Sequence, residues 1–413
     1  MIAIRHRLPQ DAAQPLTPAL SPVVDRPDRS LDGALRLRAF LGRPSFRGSL
    51  VRAVADLTAG HLRAVVADLL ERMNLAPPIR SFDQGAVPLD RARSLALFIH
   101  YAPTGEVSGM VRAQLRHLRA QGFAIAFISM APDLPADTVA ALREGCAAVV
   151  QRRNFGLDFG AWHDVVPLLL PRTPALEELL LVNDSICGPF RSLDPALAAM
   201  RATPGGLFGL TENLAPRPHL QSYFLLTRGA AAIGDIALFL RRHRKTADKR
   251  LTIRRGEVGL TAWMRRRGHP VAAWCGYETV EAAALRRPAA RNRVRLLYPD
   301  LFRDVAEDDA SGMARALRRR PLNATHLFWR ELVEEFGFPF VKTDLLLRNP
   351  LGIADPLAWA DLLGPGAEPG AAARIAGHLA GMRARPEADA TDQPVAARGE
   401  GRGAPGGRAA PAP

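Results

Sequence analysis

Two short stretches carry residue types at a spacing that could do chemistry. The first is Asn154-Phe-Gly156-Leu-Asp158-Phe-Gly160-Ala-Trp162, and the second is Leu179-Leu-Leu-Val-Asn183-Asp184-Ser185. Each sets small polar and acidic side chains directly after an apolar, strand-like run. In an open α/β sheet, ligands bind where strands end, at a switch in strand order. Asn154, Asp158, Asn183 and Asp184 on two such ends describe a site for a polar, phosphorylated ligand. Proteins hold a diphosphate with a divalent cation bridged by carboxylates, or with basic side chains and backbone N–H groups. Asp184, flanked by Asn183 and Ser185, is the candidate ligand for a Mg2+- or Mn2+-type ion or for a ribose. Such an ion needs only one or two carboxylates besides water and phosphate oxygens. Gly156 and Gly160 permit close backbone approach where a helix opens, which favours anions. Arg152 and Arg153 could add charge-assisted contacts. Plainer readings exist: Asn183-Asp184-Ser185 as a strand-ending turn before Gly188-Pro189, and Asp158 as a helix N-cap.

If the reaction activates a hydroxyl, it also needs a base. Glu257, heading the run Glu257-Val-Gly-Leu-Thr-Ala-Trp-Met, is one candidate, and Glu212, at the end of the strand containing Phe208, is another. Either carboxylate could accept a proton within hydrogen-bond reach. Glu257 could equally serve the dipole of its helix. His219 and Gln221 lie in the intervening loop and could touch a second substrate. The densest basic run is Arg241-Arg-His-Arg-Lys-Thr-Ala-Asp-Lys-Arg250. It reads as a solvated helix end, or as a contact for anionic lipid head groups or a lipid-linked pyrophosphate. No interleaved aromatic pattern or reading motif for nucleic acid accompanies it.

The elements that must position these residues are legible as alternation. Strand-like runs at Leu95–Tyr101, Ala124–Met130, Ala147–Gln151 and Glu178–Val182 are separated by helical patterns at Val111–Ala120, Pro135–Gly145 and Trp162–Leu170. This β-α-β-α-β-α-β rhythm predicts an α/β domain with a largely parallel sheet. Further strands are expected at Gly206–Thr211, Ser222–Thr227 and Val271–Trp274, with helices at Ala230–Arg242 and Glu257–Arg267. Two short helices are expected between Leu35 and Asn74, ended by Pro77-Pro78.

The chain has 413 residues and a formal net charge of +14, from 55 Lys+Arg against 41 Asp+Glu. That balance suits an anionic partner, although arginine and alanine richness also follows from a GC-rich genome. Cys146, Cys187 and Cys275 show no CxxC spacing, so neither a zinc site nor a disulfide framework is expected, which suits a reducing cytoplasm. No secretory h-region is evident at the N-terminus. No apolar run approaches the ~20 residues that span a bilayer.

Taken in order, these segments resemble the rhamnan synthesis protein F family, glycosyltransferase-like proteins of bacterial polysaccharide and lipopolysaccharide assembly. The residues that carry the likeness are Arg153-Asn154-Phe-Gly156-Leu-Asp158-Phe-Gly160-Ala-Trp162, Leu181-Val-Asn183-Asp184-Ser185-Ile-Cys-Gly188-Pro189-Phe190 and Gln221-Ser222-Tyr223-Phe224. Glu257-Val-Gly259-Leu260, Asn323-Ala-Thr-His326-Leu-Phe-Trp329, Phe338-Pro339-Phe340-Val-Lys342 and Asn349-Pro350 continue it, so it spans about residues 90 to 350. The resemblance implies a GT-A-like (Rossmann-like), mostly parallel sheet flanked by helices. It implies transfer of a sugar, such as rhamnose from dTDP-rhamnose, to a saccharide or lipid-linked saccharide, with inversion. Arg153, Asn154, Gly156, Asp158, Asn183, Asp184 and Ser185 would then face the nucleotide sugar, with Asp184 as metal ligand. His219, Gln221 and Tyr223 would face the acceptor, and Glu257 would be the base, with Glu212 the alternative. Asn183-Asp184-Ser185 would stand in place of the metal-binding DxD motif, departing from it at both outer positions. The usual adjacent pair of acids is also missing at Glu257.

The organisation expected on this basis is a flexible leader over 1–32, a helical segment over 33–90 and a nucleotide-sugar domain over 91–280. A helical and aromatic extension follows over 281–382, then a disordered tail over 383–413. The expected location is the cytoplasm, with peripheral contact to the anionic inner face of the plasma membrane and no nucleic-acid partner. The competing function is a non-catalytic saccharide-binding or assembly protein that keeps the fold.

Overall fold

Long apolar runs without polar alternation belong to strands covered on both faces, and such runs form the centre of the molecule. The computed structural model describes residues 18–24, 62–71, 73–353, 355–363 and 367–383. In chain order the strands are β1 (Ser21–Pro22), β2 (Ile79–Gln84), β3 (Ser94–His100), β4 (Ala124–Ser129), β5 (Ala148–Arg152) and β6 (Glu178–Asn183). They continue as β7 (Ile186–Cys187), β8 (Gly206–Asn213), β9 (His219–Leu220), β10 (Phe224–Arg228), β11 (Val271–Cys275) and β12 (Val341–Lys342). Ten form one sheet in the order β1-β11-β8-β10-β6-β3-β4-β5-β2, with β9 paired to β8 off this path. β5, β4, β3 and β6 are mutually parallel, as are β8 and β11. β10 runs antiparallel between β6 and β8, and β2 and β1 are antiparallel edges. The fold is therefore α/β, with a mostly parallel sheet flanked by helices.

Alternate residues of each strand feed opposite faces, as the pleat requires. On one face, Phe98, Phe127, Val149, Leu180, Phe208 and Leu226 pack against the helices Gly109–Ala120, Asp194–Arg201 and Tyr277–Arg286. On the other, Leu97, Ile128, Val150, Leu181 and Leu225 pack against the helices Leu157–Leu169, Ala230–Arg242 and Gly259–Arg266.

The chain beyond 281 joins the first of these faces. Phe302, Met313, Leu317, Trp329, Phe338, Leu345 and Leu379 are all buried in the same cluster as Phe98 and Phe127. Its short strand β12 pairs antiparallel with β7, immediately after Ser185.

Several expected elements shift. The helix placed at Trp162 starts earlier, at Leu157, and carries Asp158 in its first turn. The stretch read as the start of a helix at Glu257 is a π-helical turn, Ile253–Val258, running into Gly259–Arg266. Within the residues expected to be a loose leader, Ser21 and Pro22 pair with Ala273 and Ala272 of β11. The helix expected near Leu50 and the tail beyond 383 lie outside the described residues. Among the described residues, no helix is long and apolar enough to cross a membrane.

Candidate active site

Strand order runs outward from β3 in both directions, to β4 and β5 on one side and to β6 on the other. The switch point thus lies between the carboxyl ends of β3 and β6. The backbone N–H of Tyr101, just past β3, donates to Asp184 Oδ2 at 2.8 Å. The Asp184 N–H returns a bond to the Ile99 carbonyl at 3.2 Å. Asp184 therefore bridges the crevice where this topology places ligands.

Asn183 is buried and both ends of its amide are hydrogen-bonded. Its Oδ1 accepts from the Ser185 N–H at 3.1 Å and the Ser185 hydroxyl at 2.6 Å. That fixes which end is oxygen, because a backbone N–H can only donate. Nδ2 then donates to Asp158 Oδ2 at 2.7 Å. An aspartate at 183 would set two carboxylates against each other at that distance, which gives asparagine a physical reason to be there. Asp158 is not the N-cap. Gly156 holds that position at φ 83, where an added Cβ would lie 3.1 Å from both Gly160 Cα and Lys245 Cβ. The Asp158 carboxylate instead reaches across to the end of β6.

Two expected phosphate contacts are corrected here. Arg152 is buried against Asp164 at 2.8 Å and also donates to the Phe155 carbonyl. Arg153 forms a two-bond pair with Glu71, at 2.8 and 2.9 Å, and donates to the Ala76 carbonyl. Both guanidinium groups are committed to the protein, and Arg153 anchors the helical stretch at 62–71. Asn154 is exposed beside them.

Glu257 approaches the cluster from the π-helical turn. Its Oε1 accepts from the Ser222 N–H at 3.0 Å and the Ser222 hydroxyl at 2.7 Å. Its Oε2 lies 3.2 Å from His219 Nε2, an ion pair when His219 is protonated. His219 Nδ1 faces the Arg217 carbonyl at 2.6 Å and must carry the donating hydrogen. Gly256 makes this arrangement fit. A Cβ there would lie 2.4 to 2.8 Å from ring carbons of Phe159, the buried neighbour of Asp158. Gly256→Ala should therefore push the Glu257 turn away from Asp158 and cost about 1–3 kcal/mol. Thermal unfolding checks this; an unchanged midpoint would show that the turn tolerates the methyl group.

The remaining expected site residues form a buried layer behind this cluster. Gln221 accepts from the Thr211 hydroxyl at 2.7 Å, and Tyr223 shares that hydroxyl. Glu212 lies apart: its Oε1 accepts from the Tyr277 N–H at 2.9 Å, at the start of the helix Tyr277–Arg286.

One residue absent from the expected set is central. Lys342, delivered by β12, places its ammonium 3.5 Å from Ser185 Oγ and 4.0 Å from the centre of the Tyr223 ring. A cation over an aromatic face is stabilised by the ring quadrupole. Thr343 secures the connection, donating from its N–H to the Ser185 carbonyl and from its hydroxyl to the Asp184 carbonyl. The signal was present in the sequence, since Lys342 ends one of the segments that carry the family resemblance. What could not be read was that a residue over 150 positions downstream returns to the end of β6.

Burial governs the electrostatics. It pushes the Asp184 carboxyl up to about 7; the Tyr101 N–H opposes this, and the charge of Asp158 adds to it. Asp158 is raised to about 6 by burial and then by Glu257, against the pull of Lys342 and the Asn183 amide. Burial would also raise Glu257, but His219 and Ser222 together outweigh it and hold the carboxyl below its ordinary range. Lys342 is lowered to about 8 by burial, with Glu257 and Asp158 holding it up. Among the described residues, no group of three or more His, Cys, Asp or Glu could hold a metal ion. Asp158 and Asp184, both raised first by burial, are carboxyls of the kind that a cation drawing its other ligands from water and phosphate would need.

The chain is 28% identical over 221 residues to an uncharacterized protein, y4gN, of Sinorhizobium fredii, covering 52% of this chain and 55% of that protein. It is 27% identical over 223 residues to the virulence protein VirA of Vibrio anguillarum, covering 51% of this chain and 66% of that protein. The chain thus spans between about half and two thirds of the length of these relatives. No protein-family profile matches it. Among solved structures, the glycosyltransferase GlyE of Streptococcus pneumoniae aligns at a TM-score of 0.30 and 11% identity, over 52% of each chain. The mannosyltransferase PcManGT of Pyrobaculum calidifontis, in complex with GDP-Man and Mn2+, aligns at 0.27 and 14% identity, over 79% of this chain and 90% of that one. Superpositions this loose do not bear on function, which rests on the site geometry.

Proposed function

We propose that the protein is a glycosyltransferase of the GT-A type that moves a sugar from a nucleoside-diphosphate donor to a saccharide hydroxyl. The observation that carries this is the convergence of Asp184, Asp158 and Lys342 at the switch point between β3 and β6. A diphosphate in that crevice meets the Lys342 ammonium directly. Asp184, with Asp158 beside it, would hold a Mg2+ or Mn2+ ion against the same phosphates. Such an ion supplies charge stabilisation to the departing diphosphate. Asn183 and Ser185 do not bind donor in this reading; they fix the geometry of Asp158 and of the strand end.

Glu257 is the proposed base. The acceptor oxygen attacks the anomeric carbon, the carbon–oxygen bond to the diphosphate breaks, and the hydroxyl proton passes to Glu257. The result is inversion at the anomeric carbon. Ser222 and His219 keep Glu257 ionised and aimed, which is what a positioned base requires. A deoxysugar donor such as dTDP-rhamnose and an acceptor in cell-surface polysaccharide follow from the family resemblance.

One observation favours a non-catalytic saccharide-binding role: the polar atoms of Asn183 and Ser185 are turned onto each other and onto Asp158. Release of nucleoside diphosphate from a panel of nucleotide sugars, with saccharide acceptors and Mg2+ or Mn2+ present, separates the two. Turnover of at least one donor is expected. Saturable donor binding without release under any condition would make the protein a binder.

A further inference from the structure

The helical stretch at 62–71 is turned inside out relative to a core helix. Its acidic side chains face the protein: Asp68 accepts from the Ala247 N–H at 2.8 Å, and Glu71 takes both bonds from Arg153. Its apolar side chains face outward. Leu62, Val65, Val66, Leu69, Leu70 and Met73 are between 40% and 76% exposed. Their spacing of three and four residues makes one continuous stripe along a helix. These six are the majority of the ten large hydrophobics exposed among the described residues. A stripe of that kind marks an interaction surface.

The Asp68 bond sets this stripe beside a second feature. Ala247 lies within the basic run, where Arg241, Arg242, Arg244, Lys249 and Arg250 are all exposed. An outward apolar stripe flanked by arginines matches a bilayer interface, which takes apolar side chains at the acyl boundary and cations at anionic head groups. Nucleic acid would use the arginines and leave the stripe in water.

We propose that this face docks the protein on an anionic phospholipid bilayer. The apolar stripe inserts, and the 241–250 segment binds the head groups. Arg153 ties this helix to the segment that carries Asp158, so a docked protein holds the candidate active site close to the membrane surface. A lipid-linked acceptor would meet the site there. The inference does not depend on the sugar-transfer reading, and its test uses no sugar.

The test is co-sedimentation of the full chain with vesicles of phosphatidylcholine alone and of phosphatidylcholine mixed with phosphatidylglycerol. Binding is expected on the mixed vesicles, weakened by salt and reduced roughly tenfold or more by Leu69→Asp combined with Leu70→Asp. Arg244→Glu with Arg250→Glu should reduce it to a similar degree. Absence of binding to mixed vesicles would overturn the proposal, as would unchanged binding by the Leu69/Leu70 variant. Thermal unfolding and light scattering distinguish other occupants. A large drop in midpoint for that variant would mean that the preceding segment of this chain covers the stripe. A dimer that the variant dissociates would mean that a second copy does. RNA binding that survives the Leu69/Leu70 change, with no vesicle binding, would assign the arginines to nucleic acid. Each of these three results overturns the bilayer proposal.

Discussion

Asp184→Asn is expected to lower sugar transfer by roughly 10²–10³-fold while leaving the fold intact, the loss typical of removing a group that stabilises charge in the transition state. The conservative variant matters because Asp184 does two things. Its Oδ2 accepts the Tyr101 N–H that ties β6 to the end of β3, and in the proposed reading its carboxylate holds the cation against the donor phosphates. Asparagine keeps an acceptor for Tyr101 and removes only the charge. Asp184→Ala removes both and should abolish transfer; it also leaves a backbone donor unpaired, at a cost of about 1–3 kcal/mol. Steady-state release of nucleoside diphosphate, read beside thermal unfolding, checks both variants. Undiminished turnover by Asp184→Asn would remove Asp184 from the chemistry and return Asn183-Asp184-Ser185 to the status of a strand-ending turn.

Glu257→Gln should lower kcat by roughly 10²–10⁴-fold, the range for loss of a positioned general base, with donor affinity nearly unchanged. The amide keeps an oxygen for Ser222, so the turn should hold its place. Asp158 is the other carboxyl within the cluster, and its pKa of about 6 would also suit a base. Its bond to the Asn183 amide and its influence on Asp184 place it on the donor side of the proposed reading. Asp158→Asn is therefore expected to weaken donor binding more than it slows the bound complex. Comparison of kcat and KM for the two variants separates these roles. If Asp158→Asn loses kcat and Glu257→Gln keeps it, the roles are reversed.

The sheet was legible because its strands are buried on both faces. Leu95–Tyr101, Ala124–Met130 and Glu178–Val182 are continuous apolar runs, and each lies within a residue or two of the strand that forms. The edge strand β2 was not legible, because Ile79-Arg-Ser-Phe-Asp-Gln84 alternates weakly and owes its conformation to pairing with β5. The helix start at Leu157 was displaced because Gly156 and Gly160 look like loop residues. One supplies the left-handed turn before the helix, and the other fits where a Cβ would lie 2.7 Å from the Phe155 carbonyl oxygen.

At the site, the sequence pointed to residues that do meet: Asp158, Asn183 and Ser185 are joined by direct bonds, and Asp184 beside them is tied to Tyr101 and Ile99. It misjudged the arginines, since nothing local shows that Glu71 and Asp164 already hold Arg153 and Arg152. It missed Lys342 for the opposite reason. The lysine reaches Ser185 through β12 pairing with β7, and no local pattern in the sequence reports that contact.

The central claim is that Asp184, Asp158 and Lys342 together receive the diphosphate of a sugar nucleotide. Calorimetric titration of the full chain with a panel of nucleoside diphosphates and nucleotide sugars, with and without Mg2+ or Mn2+, tests it most directly. Binding of at least one nucleoside diphosphate is expected, strengthened by the cation and weakened tenfold or more, roughly 1.4 kcal/mol, by Lys342→Met. No heat of binding with any nucleotide, with or without cation, would contradict the claim. So would binding that neither Asp184→Asn nor Lys342→Met alters.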